Sequence, residues 1–220
     1  MKHTTLSLVL ASAMLAAAPG FVFAQAAAKP ASAAVTRGSP SQMVLANSQR
    51  VLSTIEARRA EFAADRVKLR EFINSEFNAM FDRDYAARQV LGRHGRGASD
   101  ADVKLFADAL AENLMQRYGS SLVDFNTQLR VRVKSETPLP RAIGVRVSTE
   151  LLRKGGEPIP VDYLMRQSGG TWKAFDVMVE GVSFVQTFRQ QFDTELQNKS
   201  IRQVATDLRA GRVQADAGTD

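Results

Sequence analysis

The stretch that decides the fold is Leu129–Val182, LRVRVKSETPLPRAIGVRVSTELLRKGGEPIPVDYLMRQSGGTWKAFDVMVEGV. Leu129, Val131 and Val133 alternate with Arg130, Arg132 and Lys134. Ile143, Val145, Val147, Thr149 and Leu151 repeat the pattern, as do Ile159, Val161, Tyr163 and Met165. Successive strand side chains point to opposite faces, so these are three half-buried strands. Lys154-Gly155-Gly156 and Ser168-Gly169-Gly170 punctuate them as hairpin turns. A fourth strand follows over Thr171–Val182. It alternates less strictly, with Phe175, Val177 and Val179 on one side and Trp172 and Met178 on the other, which predicts cover on both faces.

On either side of this meander the period is helical. Ser39-Pro40 opens a helix bearing Met43, Val44, Val51, Leu52 and Ile55 and continuing toward Phe62. A second stripe runs through Leu69, Phe72, Ile73, Phe77, Met80 and Phe81. Residues 82–92, DRDYAARQVLG, form a short helix stopped by Gly92, and 94–99, HGRGAS, a loop. Ser99 with Asp102 caps a helix to Tyr118-Gly119, which Ser120–Phe125 extends or restarts. Ser183 with Gln186, and Ser200 with Gln203, predict two final helices. The class is α+β: helices, an antiparallel sheet of about four strands, then two helices packing back.

The N-terminus is an export signal. Lys2 is a short positive region, Leu6–Ala18 an apolar run, Pro19-Gly20 a break, and Val22-Phe23-Ala24 a small-residue cleavage site, so residues 1–24 are expected to be removed. The run is shorter than the roughly 20 residues a spanning helix needs. Residues 25–38 read as a flexible mature N-terminus, 39–210 as one domain, and 211–220 as a flexible tail. No cysteine is present, so neither a lipoprotein anchor, a disulfide nor a thiolate metal site is available.

The charge, 29 Lys and Arg against 23 Asp and Glu, is +6, or +5 once Lys2 is removed. The arginines are interspersed with acids, the pattern of a solvated surface or of attraction to an anionic membrane. Export and the lack of a basic-aromatic module exclude nucleic acid. Catalytic candidates are few. His94 stands alone in a Gly/Arg loop. Asp176 and Glu180 share one strand and could form a carboxylate pair, although a hydrogen-bonding role is the simpler reading. Asp82 and Asp84 fit a helix start. The phenylalanines either fill a core or line an apolar cavity; composition leaves both open.

The segments 72–99 (FINSEFNAMFDRDYAARQVLGRHGRGAS), 114–125 (LMQRYGSSLVDF) and 169–196 (GGTWKAFDVMVEGVSFVQTFRQQFDTEL) together resemble the periplasmic phospholipid-binding proteins of the maintenance-of-lipid-asymmetry system, the toluene-tolerance auxiliary family. The most specific elements are Leu91-Gly92, Trp172, Phe175-Asp176 and Glu180-Gly181-Val182-Ser183, and the resemblance covers about residues 40–210. It implies an NTF2-like curved sheet and helices enclosing an apolar cavity, with no cofactor, no catalysis and a phospholipid as cargo. It further implies a periplasmic shuttle between an outer-membrane lipoprotein–porin complex and an inner-membrane ABC transporter complex with its substrate-binding domain protein. The expected lining is Leu91, Tyr118, Val145, Val147, Val161, Tyr163, Phe175, Val177, Val182, Phe184 and Phe188, with Arg141 or Arg146 near the mouth. The segment Arg93–Gly97 departs from many members, which leaves hopanoid-related or other apolar cargo open. An NTF2-like enzyme using Asp176 or Glu180, and a cavity-free periplasmic adaptor, are the readings from other classes.

Overall fold

Each predicted cap is in place in the computed structural model, which describes residues 38–118 and 129–216. The expected leader (1–24), the chain from 25 to 37, the extension over Ser120–Phe125 and the last four residues lie outside the described residues. Ser39 Oγ accepts from Gln42 N at 3.2 Å and starts α1 (Pro40–Ala57). The expected continuation toward Phe62 is broken instead at Arg58 and Asp65. This yields α2 (Arg59–Ala64) and α3 (Arg66–Met80), the latter capped by the Asp65 carboxylate on Val67 N and Lys68 N. Asp82 accepts from Tyr85 N and begins α4 (Arg83–Leu91), so its reading as a helix-start residue holds. Gly92 ends that helix at φ 54°, a left-handed conformation that glycine adopts without penalty. Ser99 caps α5 (Asp100–Tyr118) by accepting from Asp102 N at 3.1 Å. After the sheet, Ser183 and Ser200 cap α6 (Phe184–Asn198) and α7 (Ile201–Arg209).

The sheet comprises β1 (Arg130–Pro138), β2 (Val145–Leu152), β3 (Ile159–Ser168), β4 (Thr171–Val179) and the two-residue β5 (Val182–Ser183). They pair antiparallel in the order β1-β2-β3-β4-β5. The expected NTF2-like curved sheet is therefore not what forms. This sheet is an open ribbon, neither curled nor closed, and β1 and β5 do not meet. The cause lies at the β4 edge. β5 is too short to extend the ladder, and the remaining edge is taken by the α3–α4 junction, where Asp82 N donates to Ala174 O at 2.8 Å and Phe81 bridges Ala174 in parallel. Helices, not a wrapped sheet, supply the other walls.

Two register shifts explain the irregular alternation. On β4, Leu164 faces Asp176 but Met165 faces Ala174, so Phe175 is an extra residue. Such a bulge resets the period of 2. Trp172, Ala174, Val177 and Val179 consequently oppose Gln167, Met165, Tyr163 and Val161, all on one face of β3. Trp172 thus joins the face of Val177 and Val179, and Met178, opposite Asp162, stays on the other. On β1, a shift between Val133 and Ser135 places Glu136 opposite Val147 on the covered face. There its carboxylate accepts from Ser41 N (3.2 Å) and Ser41 Oγ (2.7 Å), meeting the positive end of α1. The other face carries the pairs Arg132–Glu150 and Arg146–Asp162. Gly144 is dictated by packing, since a Cβ there would sit 1.9 Å from Met165 O.

Three apolar clusters form. One joins α4, α5, α6 and α7 around Leu91, Phe106, Phe188, Phe192 and Leu208. A second lies between α1, the end of α3 and the sheet, around Val44, Met80, Val147 and Met165. A third ties α1, α2 and α3 through Ile55, Phe62 and Leu69. Residues 211–216, read from sequence as tail, run back over α5, and Ala215 is fully buried. Asp207 organises this end. It is buried, and its carboxylate meets Lys199 Nζ at 3.0 Å and Arg212 Nη2 at 2.7 Å. The Lys199 bond first, then Arg212, holds its pKa down at about 2, against 3.8 for an ordinary aspartate. A depressed carboxylate pKa contributes stability above the ordinary value that is lost as pH falls toward the depressed one. The melting temperature should therefore drop between about pH 4 and pH 2, and Asp207→Asn should lower the neutral-pH melting temperature while flattening that acid limb, as read by circular dichroism.

Candidate functional site

The first two clusters do not close on each other. Between them lies a cavity of about 700 Å³, walled by α3, α4, α5, α6, β3 and β4, with Asn47 of α1. Its lining is mostly apolar. Phe77, Met80 and Phe81 come from the end of α3; Ala86, Ala87 and Val90 from α4; and Ala107, Leu110, Ala111, Leu114, Met115 and Tyr118 from α5. Tyr163, Phe175, Val177 and Val179 come from the sheet, and Phe184, Val185 and Phe188 from α6. Polar members are Asn47, Asn74, Arg83 and Asp176. Phe77, Phe81, Leu114, Met115, Val177 and Phe184 are only half-buried, so an apolar surface faces open space.

Of the expected lining, Tyr118, Tyr163, Phe175, Val177, Phe184 and Phe188 are in the wall. The other five are elsewhere. Leu91 is core between the helices. Val147, with Val145 packed beside it, is covered by Val44 and Met80. Val161 sits in the ladder opposite Val179, and Val182 is 49% exposed on β5. Arg146 pairs with Asp162 on the outer face and Arg141 is exposed in the β1–β2 connection, neither among the cavity residues. Sequence reasoning missed α3, the alanines and most of α5. The available signal was size: Ala86, Ala87, Ala107 and Ala111 on two adjacent helices leave volume that larger side chains would fill.

The wall is held by polar ties at its back. Arg83 donates to Asp108 Oδ1 at 2.7 Å and to Asn78 Oδ1 at 2.8 Å, fixing α4 to α5. Arg166 reaches Asp82 at 2.5 Å and stacks 4.2 Å over Tyr85, whose ring meets Phe175 edge-on. Desolvation raises the pKa of the Tyr163 hydroxyl, opposed by its hydrogen bond with Ser48. Asp176, 6% exposed, binds the start of α6: Oδ2 accepts from Ser183 Oγ at 2.5 Å and Oδ1 from Val185 N at 3.0 Å. Burial raises its pKa, opposed by Ser183, Val185 and Val177 and by the charge of Arg189.

Of the catalytic candidates His94, Asp176 and Glu180, only Asp176 lines the cavity. Both Asp176 oxygens are committed to α6, and Glu180 is exposed at φ 50°. His94 is not the free loop residue expected: its side chain is 18% exposed and pairs with Asp193 at 2.9 Å. Among the described residues no group of three or more His, Asp or Glu could hold a metal ion.

A helix-walled apolar cavity on an open antiparallel sheet is the form of a binding protein. Residues 46–210 match the family model described as MlaC protein, and the chain belongs to that family. It is 24% identical to the toluene tolerance protein ttg2D of Pseudomonas putida over 166 residues, covering 74% of this chain and 75% of that one. Its fold is shared with the phospholipid-binding protein of Ralstonia solanacearum, solved in complex with a phospholipid. The two superpose with a TM-score of 0.67 at 19% identity, over 78% of this chain and 97% of the other. The family resemblance read from the motifs is thus borne out.

Asp176 carries a clear expectation. Asp176→Ala leaves Val185 N without its acceptor inside the protein and should cost about 2 kcal/mol in urea unfolding. Asp176→Asn keeps an oxygen for Val185 and a polar partner for Ser183, so it should lose much less. Because the folded pKa is raised, the wild type should lose stability as pH rises from the ordinary carboxylate range through the raised value, and the Asn variant should not.

Proposed function

We infer that this protein is a periplasmic phospholipid carrier that crosses water with acyl chains held in the cavity. The observation that carries this reading is the half-buried apolar wall of Phe77, Phe81, Leu114, Met115 and Phe184 around an open space of about 700 Å³. Exposed to water, such a surface is unfavourable; filled by lipid tails, it gains about 0.8 kcal/mol per methylene. Ten methylenes would give roughly 8 kcal/mol, a micromolar hold against water. Against a bilayer the balance is near zero, because the tails leave one apolar phase for another. That asymmetry suits a shuttle, which must retain cargo in transit and release it at a membrane. No bond is made or broken. The bound phospholipid of the Ralstonia protein supports the same cargo here.

Export fits this role. Residues 1–24 would be cleaved after Ala24, freeing the chain to move between an outer-membrane lipoprotein–porin complex and an inner-membrane ABC transporter complex. Protein expressed with its leader and purified from membrane-free extract should show, by native mass spectrometry, a mass beginning at Gln25 with phospholipid bound. A chain that carries no lipid and takes none from labelled vesicles would overturn the carrier reading, and a sterol-like adduct would redirect the cargo to hopanoids. Leu114→Asp, on the half-buried wall, should fold normally yet lose most of the bound lipid in the same measurement.

A further inference from the structure

The family match ends at Ala210, but the described chain continues to Asp216 and returns to α5 and α6. Its seat is Asn113, buried in the middle of α5. Asn113 Nδ2 donates to Leu208 O at 2.9 Å and Val213 O at 3.3 Å, while Oδ1 accepts from Ala215 N at 2.9 Å. This delivers Asp216 within hydrogen-bond reach of both α5 and α6.

Asp216 grips both helices. On α6, its backbone N donates to Gln191 Oε1 at 3.1 Å, and Gln191 Nε2 donates back to its carbonyl at 3.4 Å. On α5, its carboxylate accepts from Arg117 Nη2 at 2.8 Å and from the Tyr118 hydroxyl at 3.3 Å. Arg117 also donates to Gln214 Oε1 at 3.0 Å and lies over the Tyr118 ring, 5.4 Å from its centre. The ring of Tyr118 lines the cavity, and Gln191 sits one turn beyond Phe188, which lines it from the other helix.

We propose that residues 211–216 are a positioning strap for the cavity, with Asp216 fixing the separation of α5 and α6 and so the rate at which a bound chain escapes between them. The strap touches no cargo; it acts through Tyr118 and through Gln191. This rests on the carrier reading for its consequence, and on the geometry above for its existence.

The test compares wild type, Asp216→Ala, Tyr118→Phe and the double variant. Each is loaded with pyrene-labelled phosphatidylglycerol and mixed with unlabelled vesicles of the same lipid, with melting temperature as the folding control. Asp216→Ala should release the probe about five-fold faster. Tyr118→Phe, which keeps the ring in the wall, should shift the rate the same way, and the double variant should be no faster than Asp216→Ala alone. Hydrogen exchange should rise in 111–118 and 184–191. A wild-type release rate in Asp216→Ala, or full additivity of the two changes, would overturn the strap. A wild type that takes up no probe defeats the carrier reading instead, and unchanged exchange in Asp216→Ala then defeats the strap separately. Should Asp216→Ala not fold, Gln191→Ala severs the α6 side alone and carries the same expectation.

Discussion

The carboxylate of Asp176 fastens the sheet to the helices, and the cavity exists in the form it has because of where that fastening lies. β4 gains an extra residue at Phe175, which sets Asp176 against the first turn of α6. There it accepts from Ser183 Oγ and Val185 N while buried. α6 is the helix on which the first apolar cluster is built, through Phe188, Phe192 and Leu196. Its position therefore decides how far the helical core stands from the sheet core. A carboxylate in this place is costly to desolvate, as its raised pKa shows. Two hydrogen bonds at a helix N-terminus offset that cost, and they fix direction as well as distance.

Two cores that stop short of each other are unusual, because interiors normally pack to crystal-like density. An open sheet covered by helices on one face would ordinarily collapse until Leu110, Phe184 and Val177 touched. Here the small side chains of Ala86, Ala87, Ala107 and Ala111 prevent the helical side from filling the gap. The cost in lost contacts is recovered when an apolar chain enters. Stability and occupancy are thereby linked through mass action.

Much of the fold was legible because it is local. Ser39, Ser99, Ser183 and Ser200 act on amides three residues away, and β2 and β3 declare themselves by alternation. The irregular parts are non-local. The bulge at Phe175 reads in sequence as a strand apolar on both faces, since a reset of the period looks like its loss. The NTF2-like curvature came from resemblance, and it fails on pairing: closure depends on which backbone takes the edge of β4, and Phe81-Asp82 are far away in sequence. The site was legible by half for a related reason. Tyr163, Val177 and Phe188 face a gap, while Val145 and Val147 are covered by Val44 and Met80 and Leu91 by the core between the helices. Absent volume is written as alanine, which carries no periodic signal of its own.

A protein with a hole between its cores needs stiffness from elsewhere, and polar ties around the cavity provide it. Arg50 and Asn47 join α1 to α3 through Glu76; Ser41 joins α1 to β1 through Glu136; Arg166 joins β3 to the start of α4 through Asp82. Arg83 joins α4 to α5, Arg189 joins α6 to α4 at the Gln89 carbonyl, and Asp216 joins α5 to α6. Each is directional; Asn47 and Arg83 belong to the lining themselves, and the others lie outside it. Exposed pairs of this kind contribute little singly, about 0–1 kcal/mol, whereas those with a buried partner contribute more. Their joint effect is geometric: they fix the separation of the walls around the cavity.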